Sequence, residues 1–259
     1  MFRSLLPLLV SLFLFTQGWA FSPYENYLAT GRDTQVGLLA QIEEGQGDAL
    51  AKAVASLEEG KPARQLKKAG ISGLATFSRN IEGKDYAVIR FVYAGGKDYL
   101  GAAKAFEEAT AQVEWRKIVA PHPRAVTYGR TWLQMEWINY IRGYDVDREP
   151  SNSLMIGCRV RPEMEMQYRT LHQTVWPGVV DQAVRGKIRD LCVFLVELDD
   201  DLVEFLYLDY MGDDQAADDA ANAADPINQR WWKLTDACQM PFSDVEEGIW
   251  TLMNPVPAQ

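Results

Sequence analysis

The sequence predicts an α+β protein built from two copies of one β-α-β-β-α-β unit, packed sheet against sheet. Three observations carry that expectation. Strand-like and helix-like runs follow the same order in both halves of the chain. Matching residues recur at a near-constant offset. Each unit alone would leave one face of its sheet apolar and exposed to water, which is unfavourable, and a second copy supplies the cover.

The chain has 259 residues, 47% of them hydrophobic, enough for a sizeable core, and a net charge of -10. That charge disfavours nucleic acid, whose phosphates would be repelled, and an anionic membrane surface. Residues 1–20 have the form of a signal peptide: Arg3, an apolar run over 5–15 broken only by Pro7 and Ser11, then Gly18-Trp19-Ala20 before Phe21. The run is too short to span a bilayer comfortably. The mature chain is therefore expected in the periplasm or the medium, free of the membrane. Residues 21–34 read as a polar lead-in.

The first unit, over 35–143, begins with an apolar strand at 35–42. An amphipathic helical stretch at 49–66 follows, interrupted by Gly60 and Pro62. Strands at 71–77 and 87–93 flank a turn at Gly83, a helix covers 99–118, and a closing strand covers 132–138. A charged linker with Pro150 spans 144–153. The second unit, 154–255, repeats the order. It has a strand at 154–160, a helix at 163–176, a hairpin of 191–198 and 203–210 around Asp199-Asp200-Asp201, a helical stretch at 214–234 broken at Pro226, and a strand at 249–253.

The halves also match residue by residue. Phe77 and Phe194, Tyr93 and Tyr210, and Gly95 and Gly212 are 117 apart; Trp115 and Trp231, and Lys117 and Lys233, are 116 apart; Trp132 and Trp250 are 118 apart. An offset held through strands and helices marks an internal repeat. The unit's order is ferredoxin-like, so the expected architecture is a pseudo-dimeric α+β barrel in one chain, monomeric because its partner is built in.

Two stretches carry chemistry. In Tyr168-Arg169-Thr170-Leu171-His172-Gln173-Thr174-Val175-Trp176-Pro177 the phenol, imidazole and indole recur every fourth residue, one face of a helix that Pro177 and Gly178 bend or stop. His172 is the group of that face that titrates near neutrality. In Asp225-Pro226-Ile227-Asn228-Gln229-Arg230-Trp231-Trp232-Lys233, Asp225 and Pro226 read as a helix start. Adjacent tryptophans then point about 100° apart, so one can pack while the other lines a pocket. Aromatic faces suit the C–H faces of sugar rings. A histidine on an apolar helix face is more often structural, and Trp176 and Trp231 also fit a core.

Cys158, Cys192 and Cys238 make an odd count, and Cys158 and Cys192 sit in strand-like runs as small buried hydrophobes. With two histidines and no paired-cysteine motif, no metal site is expected. The acidic run over 213–225 does not fit a calcium loop and reads as a solvated helix start.

Together, Tyr168-x-x-x-His172-x-x-x-Trp176-Pro177 and Gln229-Arg230-Trp231-Trp232-Lys233 resemble the L-rhamnose mutarotase family, over roughly residues 154–253. The resemblance implies a ferredoxin-like protein that interconverts the α and β anomers of L-rhamnose without metal or organic cofactor. It implies His172 as the proton donor, with Tyr168, Trp231 and Trp232 on the sugar; Trp176, on the same expected face, is a further candidate for the pocket. Leu191 stands where the family has a sugar-binding tyrosine. The matching positions of the N-terminal half are Leu50, Val54 and Arg116, so one half at most carries the site. The alternative is a non-catalytic protein that binds a sugar or another small ligand. An oxygenase on this fold is a third reading, for which no cofactor motif is visible.

Overall fold

The computed structural model describes residues 34–94, 99–144, 146 and 148–257. The expected signal peptide, and the lead-in up to residue 33, lie outside them. The first half opens with β1 (Thr34–Ile42), α1 (Gly47–Ala55), α2 (Gly60–Lys68), β2 (Ile71–Ile81) and β3 (Lys84–Tyr93). It continues with α3 (Ala102–Ala109), β4 (Val119–Ala120), α4 (Pro123–Val126), β5 (Leu133–Gln134) and β6 (Glu136–Arg142). The second half contains β7 (Asn152–Val160), α5 (Glu165–Gln173), α6 (Pro177–Arg185), β8 (Ile188–Leu198) and β9 (Asp201–Tyr210). It ends with α7 (Gln215–Ala224), α8 (Pro226–Thr235), β10 (Gln239–Met240), β11 (Thr251–Leu252) and β12 (Asn254–Pro255).

Two antiparallel six-stranded sheets result, one ordered β12-β2-β3-β1-β4 with β5 also on β1, the other β10-β7-β9-β8-β6 with β11 also on β7. Side chains alternate across each strand. In the first sheet Val36, Leu38, Ala87, Ile89 and Phe91 face its helices, and in the same core lie Leu50, Val54, Phe106, Trp115 and Trp132. The opposite faces of the two sheets meet in a shared core of Leu39, Phe77 and Val88 with Cys192, Phe194, Phe205 and Tyr207. The expected sheet-to-sheet barrel of two ferredoxin-like units is what the chain forms. Gly37 lies at this seam: a Cβ there would stand 2.5 Å from Met135 Cε and 3.1 Å from the Phe194 ring.

Buried charge also crosses the seam. Arg90 of β3 is 2% exposed, bonds Gln35, lies 3.9 Å from Asp190 of β8, and covers the Tyr207 ring at 4.4 Å. A buried guanidinium needs such partners to offset lost hydration.

The closing strand expected at 132–138 is in fact two pieces with different partners. Leu133–Gln134 pairs with β1 of its own sheet, and Glu136–Arg142 crosses over to pair with β8. The C-terminus does the same: Thr251–Leu252 pairs with β7, and Asn254–Pro255 pairs with β2. Each unit thus covers an open edge of the other's sheet, satisfying backbone groups that would otherwise be exposed. The stretch expected as one helix over 99–118 is regular only in α3. Thr110 Oγ1 bonds back to the Phe106 carbonyl at 2.8 Å and accepts from Trp115 Nε1 at 2.8 Å, and the chain turns away there. The helix expected over 163–176 stops at Gln173, and Trp176 is the N-cap of a separate helix whose first residue is Pro177. Proline ends one helix but is pre-shaped for the first turn of the next. All three cysteines are free and buried.

Candidate active site

In the C-terminal half, the space between the sheet and its helices is a cavity of about 660 Å³. Its floor is the helix-facing side of the sheet: Asn139, Ile141, Ile156, Leu191, Val193, Glu204, Leu206 and Leu208. His172 of α5, Val179 and Gln182 of α6, Asn222 of α7, and Asn228, Trp231 and Trp232 of α8 close it, with Gln239 of β10 at one side. A mostly apolar wall with few polar groups is the usual build of a small-molecule site.

Tyr168 and His172 occupy successive turns of the inner face of α5, 0% and 7% exposed. Their rings are 4.2 Å apart. His172 Nδ1 is 3.0 Å from the Tyr168 carbonyl oxygen. A carbonyl only accepts, so Nδ1 carries the hydrogen and Nε2 keeps its lone pair. Burial lowers the His172 pKa to about 4, partly opposed by that hydrogen bond, so the imidazole is neutral at pH 7. The resting group is therefore a proton acceptor at Nε2, whereas the resemblance implied a donor.

Helix α8 begins where expected. Asp225 Oδ1 accepts from the Ile227 and Asn228 amides at 2.7 and 3.3 Å, and Pro226 fills the first position. The 100° step turns Trp231 inward, 7% exposed, and leaves Trp232 at the rim, 39% exposed. Trp231 meets the edge of His172 at 5.7 Å and of Trp176 at 5.4 Å, and Arg230 lies 4.9 Å over the Trp176 ring. His172, Trp231 and Trp232 thus converge on the cavity. Tyr168 stands behind His172. Trp176, off the α5 face, backs Trp231 and is not part of the cavity wall.

Sequence reasoning missed the polar residues of the cavity floor and side, Glu204, Gln239 and Asn139, as well as Gln182 and Asn222 of its helical wall. Glu204 is fully buried in β9; its Oε2 accepts from Gln239 Nε2 at 2.7 Å and from Cys158 Sγ at 3.6 Å. Burial raises its pKa to about 7, against the hydrogen bonds, which lower it. The Tyr168 hydroxyl is near Glu204 but makes no hydrogen bond of good geometry with it. Glu204 Oε1, Gln239 Oε1 and Asn139 Oδ1 are all buried without a hydrogen-bond partner among the described residues. A signal for Glu204 was present: it is the one carboxylate on the otherwise apolar face Leu202, Glu204, Leu206, Leu208 of β9. Gln239 and Asn139 sit in short or crossing strands and gave none.

In the N-terminal half the corresponding space is filled. Helices α1 and α5 correspond residue for residue, so Leu50 and Val54 stand where Tyr168 and His172 do. Ala87 pairs with Ala40 and Ser78 as Glu204 pairs with Cys158 and Leu195. Val119 sits opposite Ile42 as Gln239 sits opposite Val160. Trp115 and Trp132, 5.2 Å apart, pack into that core beside Phe106.

Residues 154–256 match the family model of L-rhamnose mutarotase. No curated protein is matched by the sequence. Among solved structures the chain is similar to a candidate monooxygenase from Fusobacterium nucleatum, with 9% identity, 86% of this chain and 91% of that one covered, and a TM-score of 0.48. It is also similar to an anthrone oxidase-like protein, with 12% identity, coverage of 86% and 91%, and a TM-score of 0.43. A chlorite dismutase variant from Candidatus Nitrospira defluvii matches with 12% identity, coverage of 90% and 95%, and a TM-score of 0.38. Nothing about chemistry follows from likenesses this loose.

Proposed function

We propose that this protein is an aldose mutarotase, acting on L-rhamnose or a similar sugar through its C-terminal cavity. One observation carries the reading: a neutral His172, with Nδ1 tied to the Tyr168 carbonyl, lines an aromatic-walled cavity within the segment that matches the mutarotase family. Mutarotation opens a hemiacetal and closes it on the other face. It needs one group to take the anomeric hydroxyl proton and one to protonate the ring oxygen. His172 Nε2 takes the proton on opening and returns it on closing, so it is base in one half-reaction and acid in the other. Trp231 and Trp232 give the C–H faces of the sugar a surface to stack on. The leader over 1–20 would carry the activity outside the cytoplasm, and the N-terminal unit would act as a permanent partner in a monomer.

The test is magnetisation exchange between the α and β anomeric protons of L-rhamnose and a panel of neutral aldoses. Accelerated exchange with the wild type, lost in His172→Ala, is the expected result. Sugar binding without exchange would instead favour the non-catalytic binding protein.

A further inference from the structure

We infer that Glu204 is the second proton-exchanging group of this site, the acid that protonates the sugar ring oxygen while His172 accepts the anomeric proton. The inference rests on the mutarotase reading and supplies the partner that reading lacks.

Glu204 lies on the cavity floor beneath α5, and Tyr168, whose ring is 4.2 Å from that of His172, is the neighbour of both groups. Oε2 is anchored by Gln239 and Cys158, while Oε1 is buried without a hydrogen-bond partner among the described residues. The groups that act on the carboxyl are Tyr168 of α5, Cys158 of β7, and Cys238 and Gln239 between the end of α8 and β10, while His172 and Asp236 line the same cavity. Among the described residues no lysine or arginine offsets its charge there, and the hydrogen bonds that favour the carboxylate are outweighed by burial. Desolvation raises the pKa to about 7, which keeps a proton available near neutrality.

Tyr168, His172, Glu204 and Gln239 are replaced together by Leu50, Val54, Ala87 and Val119, all buried in the filled core of the other half. An alanine meets the same strand pairing there, so the sheet has no structural need of a carboxyl at that position. Glu204 is present where the histidine and the cavity are present.

The step balances. His172 Nε2 takes the proton of the anomeric hydroxyl, the bond from C1 to the ring oxygen breaks, and its electron pair goes to that oxygen. Glu204 Oε1–H delivers a proton there, leaving an open-chain aldehyde, imidazolium and carboxylate. After rotation about C1–C2 the former ring oxygen attacks the other face of C1. Its proton returns to Glu204, and His172 protonates the new anomeric oxygen. Asn139 Oδ1 and Gln239 Oε1 accept from sugar hydroxyls.

The experiment measures L-rhamnose anomer exchange from pH 5 to 9 for the wild type, Glu204→Gln, and the matching variants of the other carboxylates that line the cavity, Asp219→Asn and Asp236→Asn. Binding is followed separately by tryptophan fluorescence, and folding by circular dichroism. The wild-type rate should fall on the alkaline side with a midpoint near 7, a readout that needs no variant. Glu204→Gln should lose at least about 100-fold in rate and lose that limb, while still binding sugar. Wild-type exchange without an alkaline limb overturns the inference alone. So does a limb that survives in Glu204→Gln, or one abolished instead by Asp219→Asn or Asp236→Asn. A wild type that exchanges no aldose overturns the mutarotase reading and this inference with it.

Discussion

Replacing Glu204 by glutamine should stabilise the protein in alkali, and the size follows from its burial. The folded pKa, about 7, stands above the 4.5 of an ordinary glutamate. Below pH 4.5 both states hold the proton and the residue is neutral in each. Between pH 4.5 and about 7 the unfolded chain has ionised while the folded chain still holds its proton, so stability is lost as pH rises across that window and levels off above it. The gap between 4.5 and about 7, at about 1.4 kcal/mol per pH unit, comes to about 3 kcal/mol. Glutamine keeps the shape and an oxygen for Gln239, without the ionisation. For a chain of this size the variant should therefore melt about 10 °C higher than the wild type at pH 8, and equally at pH 4. The assay is thermal unfolding of both proteins by circular dichroism from pH 4 to 9. The difference between them is the readout, because His172 has the opposite slope. Its folded pKa of about 4 lies below 6.5, so its stability is lost as pH falls from 6.5 toward 4. A difference between the two proteins that does not change with pH would refute the reasoning: Glu204 would then not be a desolvated carboxyl.

Replacing His172 by asparagine should abolish anomer exchange and flatten the acid side of the stability profile, removing a loss of about 3 kcal/mol between pH 6.5 and 4, measured by the same melts. Trp231→Ala should cost about 3 to 5 kcal/mol in urea unfolding, because it empties a side chain packed on both His172 and Trp176. Arg90→Ala should cost about 1 to 3 kcal/mol, also read from urea unfolding, because it leaves the buried Gln35 Oε1 without its donor, while Asp190 keeps Arg189 and Tyr140. Residues 150–259 expressed alone should be insoluble or self-dimerise on a sizing column with light scattering. They lack β6, which covers the β8 edge, and the first sheet, which covers Phe194, Phe205 and Tyr207. A soluble folded monomer would contradict that account.

What the sequence determined by itself was local and periodic. Apolar runs such as 35–42 and 203–210 mark strands, whose pleat fixes which residues can share a sheet face, and the near-constant offset between Trp115 and Trp231 or Trp132 and Trp250 is the pattern two copies of one unit would leave. Asp225-Pro226 and the spacing of Tyr168 and His172 identify helix starts and faces because caps and turns are set by neighbours along the chain. Only the tertiary structure decided the rest. The crossing of Glu136–Arg142 and Asn254–Pro255 into the opposite sheets depends on open edges made by distant strands. Trp176 left the α5 face because proline both ends and begins helices, and spacing cannot tell which. Glu204 and Gln239 came to one cavity from segments 35 residues apart, where depth of burial, not residue type, sets a carboxyl's proton affinity. Burial belongs to the assembled fold, so the chemistry of this site was not readable one residue at a time.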